Sequence, residues 1–260
     1  MSVFCFLVAL LACLIGSICG MGGGVIIKPV LDASGFLPVA QINFFSCCTV
    51  LGMTLWSVTK SLTGGESRID LRLSTPLAAG AAVGGLVGKR AFSAMAALCS
   101  NAGTAGGVQA ALLLAATLLT MLYTLHRDRI TRPPVRSPLA CGLIGMCLGI
   151  LGTFLGIGGG PFNMAVLYYF FSMPTKTAAQ NSLYIILFSQ LLGLVTMVAE
   201  GSVWLTPVLL IMIVGGVAGS KLGRRLNRRL SEQQASRLFL MAMVLVMAIS
   251  AYNICRAFLL

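Results

Sequence analysis

Apolar stretches long enough to cross a bilayer recur along the whole chain, and no polar stretch between them is long enough to fold on its own. A hydrocarbon core of about 30 Å takes about 20 residues of helix to cross. Inside it every backbone N–H and C=O must find a partner within the protein, so such stretches become helices. One stretch would be an anchor; this many make the membrane domain the body of the protein. Only 9% of the 260 residues are charged and 58% are hydrophobic, whereas a soluble domain carries about a quarter charged residues. The longest polar segments, Arg127–Ser137 and Lys221–Arg237, are short basic loops. Met1–Gly20 is apolar and ends in small residues as a signal peptide does. Its first basic residue, however, is Lys28, so the positive n-region is missing and the segment reads as mature structure.

The formal charge of +12 would suit nucleic acid, but its placement excludes that partner. The basic residues sit at span ends and in short loops, where lipid headgroups and the positive-inside rule account for them. The bilayer is therefore the expected partner. The nine cysteines form no CxxC or Cys/His cluster and lie mostly in apolar runs. They read as small buried hydrophobes, and neither a metal nor a cofactor is expected.

An internal repeat organises the chain. Gly16, Gly20 and Gly24 recur as Gly152, Gly156 and Gly160; Gln41-Ile42-Asn43 is answered by Gln180-Asn181-Ser182. Val83-Gly84-Gly85-Leu86-Val87-Gly88 returns as Val214-Gly215-Gly216-Val217-Ala218-Gly219, with basic residues following both times. Three landmarks in one order indicate a duplication: a first membrane repeat over 1–126, a basic cytoplasmic linker at 127–137 and a second repeat over 138–260. Each half reads as a glycine-interrupted apolar segment (about 3–31 and 139–172) followed by three ordinary spans. These lie near 41–59, 73–89 and 104–125, and near 178–199, 204–221 and 237–259.

Charge decides whether an interrupted segment crosses once or returns. If each is a hairpin and the 127–137 loop is cytoplasmic, fourteen of the eighteen lysines and arginines lie inside. Only Lys28, Lys89, Arg90 and Arg256 are left outside. A single crossing would instead put the Lys221–Arg237 cluster outside. Three full spans per half also place the halves in opposite orientations, as in secondary transporters. The expected fold is thus all-α and polytopic, with two inverted repeats, each a glycine-broken helical hairpin and three transmembrane helices.

Glycine triplets cost an apolar helix roughly 1 kcal/mol per residue, and broken backbone is tolerated in lipid only where protein or a water-filled cavity covers it. The breaks therefore point inward. The helices resuming near Val25 and Pro161 would offer unpaired N–H groups and positive dipole ends to an anion, which nominates Gly22, Gly23, Gly24, Gly158, Gly159 and Gly160. The glycine runs 80/84/88 and 215/219/223 read instead as packing faces. Lys28, four residues past Gly24, either faces a cavity and attracts an anion or snorkels to the surface. Gln41, Asn43, Gln180, Asn181 and Ser182 either donate to an oxyanion or bond between helices. All six carboxylates fall in expected loops or span ends, which leaves no proton or cation site in the membrane.

These residues resemble the sulfite exporter TauE/SafE family of membrane transporters over nearly the whole chain. The shared marks are the duplicated G-x-GGG, the following proline position at Pro29, the Asn/Ser-rich start of the next span and the later Val-Gly-Gly-x-x-Gly. Lys28 stands where that family commonly has an apolar residue, and Ala165 where proline is common in the second copy. The resemblance implies transport of sulfite, organosulfonates such as sulfoacetate, or related anions. The expected function is a secondary transporter moving such an anion across the cytoplasmic membrane by alternating access, in a chain that is not an enzyme. An anion channel, a transporter of another organic anion and a scaffold stay open as alternatives, as does homo-oligomerisation.

Overall fold

The computed structural model describes residues 1–65, 67–98, 102–126, 135, 137–156 and 158–259. These form ten helices: α1 (Ser2–Cys19), α2 (Gly24–Ser34), α3 (Val39–Thr63), α4 (Leu71–Leu98), α5 (Ala102–His126), α6 (Pro138–Phe154), α7 (Gly160–Phe171), α8 (Thr175–Ala199), α9 (Pro207–Arg229) and α10 (Glu232–Leu259). The 127–137 linker lies outside the described residues except for Val135 and Ser137. Seven helices, α1, α3, α4, α5, α8, α9 and α10, are long and apolar enough to cross a membrane. Six contain the ordinary spans expected from hydropathy. The seventh, α1, is half of an interrupted segment.

Local chemistry sets the helix ends. Prolines occupy the first turn of α6, α7 and α9, where the missing N–H has no partner to lose. Pro38 and Pro174, both extended, precede α3 and α8. The breaks run through glycines in the left-handed region, Gly20 and Gly22 in one, Gly156, Gly158 and Gly159 in the other. An L-residue there costs about 1–2 kcal/mol.

Side-chain register gives the helix directions. Gly215, Gly219 and Gly223 meet the carbonyls of Phe6, Leu10 and Leu14 in that order, so α1 and α9 run parallel. Gly80, Gly84 and Gly88 meet those of Gly142, Met146 and Ile150, so α4 and α6 do too. A Cβ at any of these glycines would crowd or overlap a backbone atom, the expected packing role. Thr49, Met53 and Ser57 face Gly216, Ser220 and Arg224, making α3 parallel to α9 and hence to α1. Asn253 and Arg256 bond the carbonyls of Pro29 and of Asp32 and Ala33, so α2 runs with α10. The chain therefore doubles back between α1 and α2, and Phe4 packs on Phe36 across the open end. The second broken segment closes likewise, with Val135 N–H bonded to the Phe170 carbonyl at 2.9 Å.

Helix pairing between the two halves is reciprocal: α1 with α9 as α6 with α4, α3 with α9 as α8 with α4, α2 with α10 as α7 with α5. Across this arrangement α3 and α8 run antiparallel, since Cys47 meets Gln190 while Ser61 meets Gln180. The core lies along α1–α3, α7 and α8, with Ile27, Phe45, Met53, Met164 and Ile185 at most 1% exposed.

Candidate functional site

The two breaks meet near the centre. A Cβ on Gly160 would overlap the Met21 carbonyl oxygen, and one on Gly20 the Ala179 backbone. Ser182 Oγ donates to the Gly20 carbonyl at 2.5 Å. Within each hairpin the glycine one turn before the break lets the chain fold on itself, Gly16 against Gly22–Gly23 and Gly152 against Gly158–Gly159. Among the described residues no side chain caps the N-terminus of α2 or of α7.

The N-terminus of α2 opens on a cavity of about 270 Å³ between the hairpins, α3, α4, α5 and α8. Gly24, Gly156 and Gly158 form its backbone wall, and Lys28, Asn43, Ser46, Gln109, Ser189 and Gln190 supply polar groups. Lys28 does not snorkel. It is 6% exposed, and its Nζ donates to Gln109 Oε1 at 2.9 Å; Gln109 Nε2 in turn donates to the Phe154 carbonyl at 2.8 Å. Gly156 makes this possible: its φ is +72°, and a Cβ there would collide with the ammonium. The Asn43 amide makes no hydrogen bond among the described residues and is free for a ligand. Lys89, also on the cavity, is held by Glu200 at 2.5 Å. A cation fixed by a neutral amide, with donors around it and no carboxylate bonded to it, is an environment for a small anion.

Of the residues nominated from the sequence, Gly24, Lys28, Asn43 and Gly158 line this cavity. Gly22 sits behind it against Ile186 and Val50, Gly23 against Cys13, and Gly159 and Gly160 inside the packed tips. Gln41 is half-buried on α3 and away from the cavity. Gln180 Oε1 accepts from Ser61 Oγ and the Arg68 N–H. Asn181 is fully buried and fully bonded, accepting from the Asp70 N–H and Ser74 Oγ and donating to the Arg68 and Thr177 carbonyls. Both amides thus fasten the segment between α3 and α4. Gln109 and Gln190 were not singled out from the sequence, although each is an amide in the interior of an apolar helix.

Gln180 also lines a second cavity, of about 530 Å³, with Ser17, Ser57, Arg68, Lys176, Arg224 and Arg228. The tip of the first hairpin, with Val50, Ile186 and Ser182 packed around it, lies between the two cavities.

Compared with protein families, residues 5–251 match the model described as sulfite exporter TauE/SafE. The chain belongs to the TauE/SafE family. Membership agrees with the apolar helices in making it a membrane transport protein, of a family that carries sulfur anions such as sulfite. No curated protein and no solved structure matched the chain.

Proposed function

We propose that this TauE/SafE protein is a secondary transporter that moves a small sulfur oxyanion or organosulfonate, such as sulfite or sulfoacetate, across the cytoplasmic membrane by alternating access. The observation that carries the reading is Lys28: a buried cation, bonded to an amide, on a cavity walled by both glycine breaks. Burying a cation with no carboxylate bonded to it costs several kcal/mol, and an anion in the cavity offsets that cost. Asn43, Ser46 and Gln190 supply neutral donors that orient oxyanion oxygens without binding them too tightly for release.

Residues 1–126 and 138–260 act in this reading as inverted repeats joined by a cytoplasmic linker. The antiparallel course of α3 and α8 and the reciprocal helix pairing support it. A transporter is favoured over a channel because the hairpin tip packs between the two cavities. The test is uptake into proteoliposomes of sulfite, sulfate, thiosulfate, sulfoacetate and taurine, with and without a pH gradient. Saturable uptake of one or more of these anions, weakened in Lys28→Gln, is expected. Uptake that rises linearly without saturation would establish the channel reading, and no uptake of any anion would remove both.

A further inference from the structure

Lys28 faces two cavities. Besides the anion cavity it lines one of about 420 Å³ that reaches the surface at Gly35 and Val39, in the connection between α2 and α3. With Gln109 it forms the partition between them. One turn along α2, on the same helix face, Asp32 lines this further cavity. Its Oδ1 is buried without a partner, as is the Ser250 Oγ across the cavity. No ion pair joins Lys28 and Asp32, and Arg256 spends its guanidinium on the Asp32 and Ala33 backbone carbonyls rather than on the carboxylate.

We propose that Lys28 and Asp32 form a proton-coupling pair, so that each anion entering the cavity is accompanied by one proton taken from water through the Asp32 side. The inference rests on the anion-transport reading above. Its physical basis is that a buried region avoids net charge in every state. With the anion cavity empty, the pair holds one titrating proton between amine and carboxylate and is neutral. When a monovalent anion arrives, a proton from water binds the pair, leaving a Lys28 ammonium and an Asp32 carboxyl. Anion and pair together are again neutral. When the anion leaves, that proton leaves with it. Other charged or titratable groups around the pair are few. Among the described residues, Arg256 on α10 lines the Asp32 cavity, Lys89 on α4 with its partner Glu200 and the Cys47 thiol on α3 line the anion cavity, and the α1 thiols of Cys13 and Cys19 are buried in the packed core. From the described residues of α5 and α6 come Gln109 and backbone.

The test uses the full-length protein in detergent with methanesulfonate and ethanesulfonate, monovalent anions that do not titrate near neutrality. Binding is read from thermal stabilisation and proton uptake from a pH dye in weak buffer, across the pH range in which the protein stays folded. The expected result is one proton taken up per bound anion at some pH. In Asp32→Asn binding persists and the uptake that remains is that of the Lys28 amine alone, so its pH range moves upward from the parent's, and Asp32→Glu keeps the parent's range. Binding to the parent with no proton uptake at any pH overturns the proposal while leaving anion transport intact, as does an unchanged pH range of uptake in Asp32→Asn. If neither anion stabilises the parent, the anion site itself is refuted and the coupling with it.

Discussion

The contact between Gly156 and Lys28 can be isolated by a double-mutant cycle. Gly156→Ala puts a Cβ at φ +72° and into the position of the Lys28 ammonium. The backbone strain costs about 1–2 kcal/mol whatever stands at residue 28. Displacing Nζ from Gln109 Oε1, now 2.9 Å away, costs a further 1.5–3 kcal/mol or so, the worth of a hydrogen bond to a charged group. In a Lys28→Ala background the clash with the ammonium is gone, while the strain and the 2.8 Å approach to Gln109 Nε2 are common to both backgrounds. The same substitution should thus be more damaging in the parent by about 1.5–3 kcal/mol, a coupling typical of touching residues. For a chain of this size that is a difference of roughly 3–12 °C in the melting shift. Thermal unfolding of the four purified variants in one detergent measures it. Equal shifts for Gly156→Ala in both backgrounds would show that Lys28 does not occupy the place left by the missing side chain, and the buried-cation argument would fall.

Asn181→Ala should lower stability by about 2–5 kcal/mol, because it strands the part-buried Asp70 N–H and the buried Ser74 hydroxyl. Anion affinity should be unchanged in the protein that survives, and thermal unfolding with and without sulfite separates the two effects. Asn43→Ala should do the reverse, weakening anion affinity by about 1–3 kcal/mol with little change in melting temperature, since its amide bonds nothing among the described residues. Gly84→Leu and Gly219→Leu should each fail to give a monodisperse purified protein, because their side chains would be driven into the Met146 and Leu10 carbonyls; normal gel-filtration profiles would contradict the parallel packing. Single cysteines at Gly201 and Ser231, at opposite ends of α9, should react with an impermeant thiol reagent only from outside and only from inside, respectively.

The spans were legible because hydropathy and length report a local property, and the glycine breaks because a helix in lipid cannot tolerate such triplets without cover. Helix contacts at 80/84/88 and 215/219/223 were legible for a similar reason: a glycine every fourth residue marks one stripe of one helix. The site was legible in part. Lys28 stood out as a charge in apolar sequence, but its partner Gln109 lies 81 residues away, beyond any local pattern. The amides show the limit best. Asn43 and Asn181 occupy matching stretches of the two halves, yet one faces a cavity and the other is consumed by the segment before α4. Which fate an amide meets depends on what packs opposite it. Asp32 was read as a loop residue near a span end, whereas α2 continues past Pro29 to Ser34 and carries its carboxylate onto the cavity that Lys28 shares.

Read as the proposed inverted repeats, the two halves also relate two of the cavities to each other. Matching the halves through their glycine and glutamine landmarks pairs Ser17 with Thr153, Ser57 with Thr196 and Arg224 with Ser93. The first member of each pair lines the basic cavity and the second the anion cavity, so in that reading the two are counterparts. Their inner ends have diverged. Ser182, the counterpart of Asn43, bonds the Gly20 carbonyl and closes its side, whereas Asn43 leaves the corresponding Gly156 side open. Lys28 has Met164 as its counterpart, fully buried and apolar. In the proposed exchange of access Lys28 serves both halves: the anion stays beside it while the packing of Ser182 on Gly20 loosens and that around Asn43 tightens.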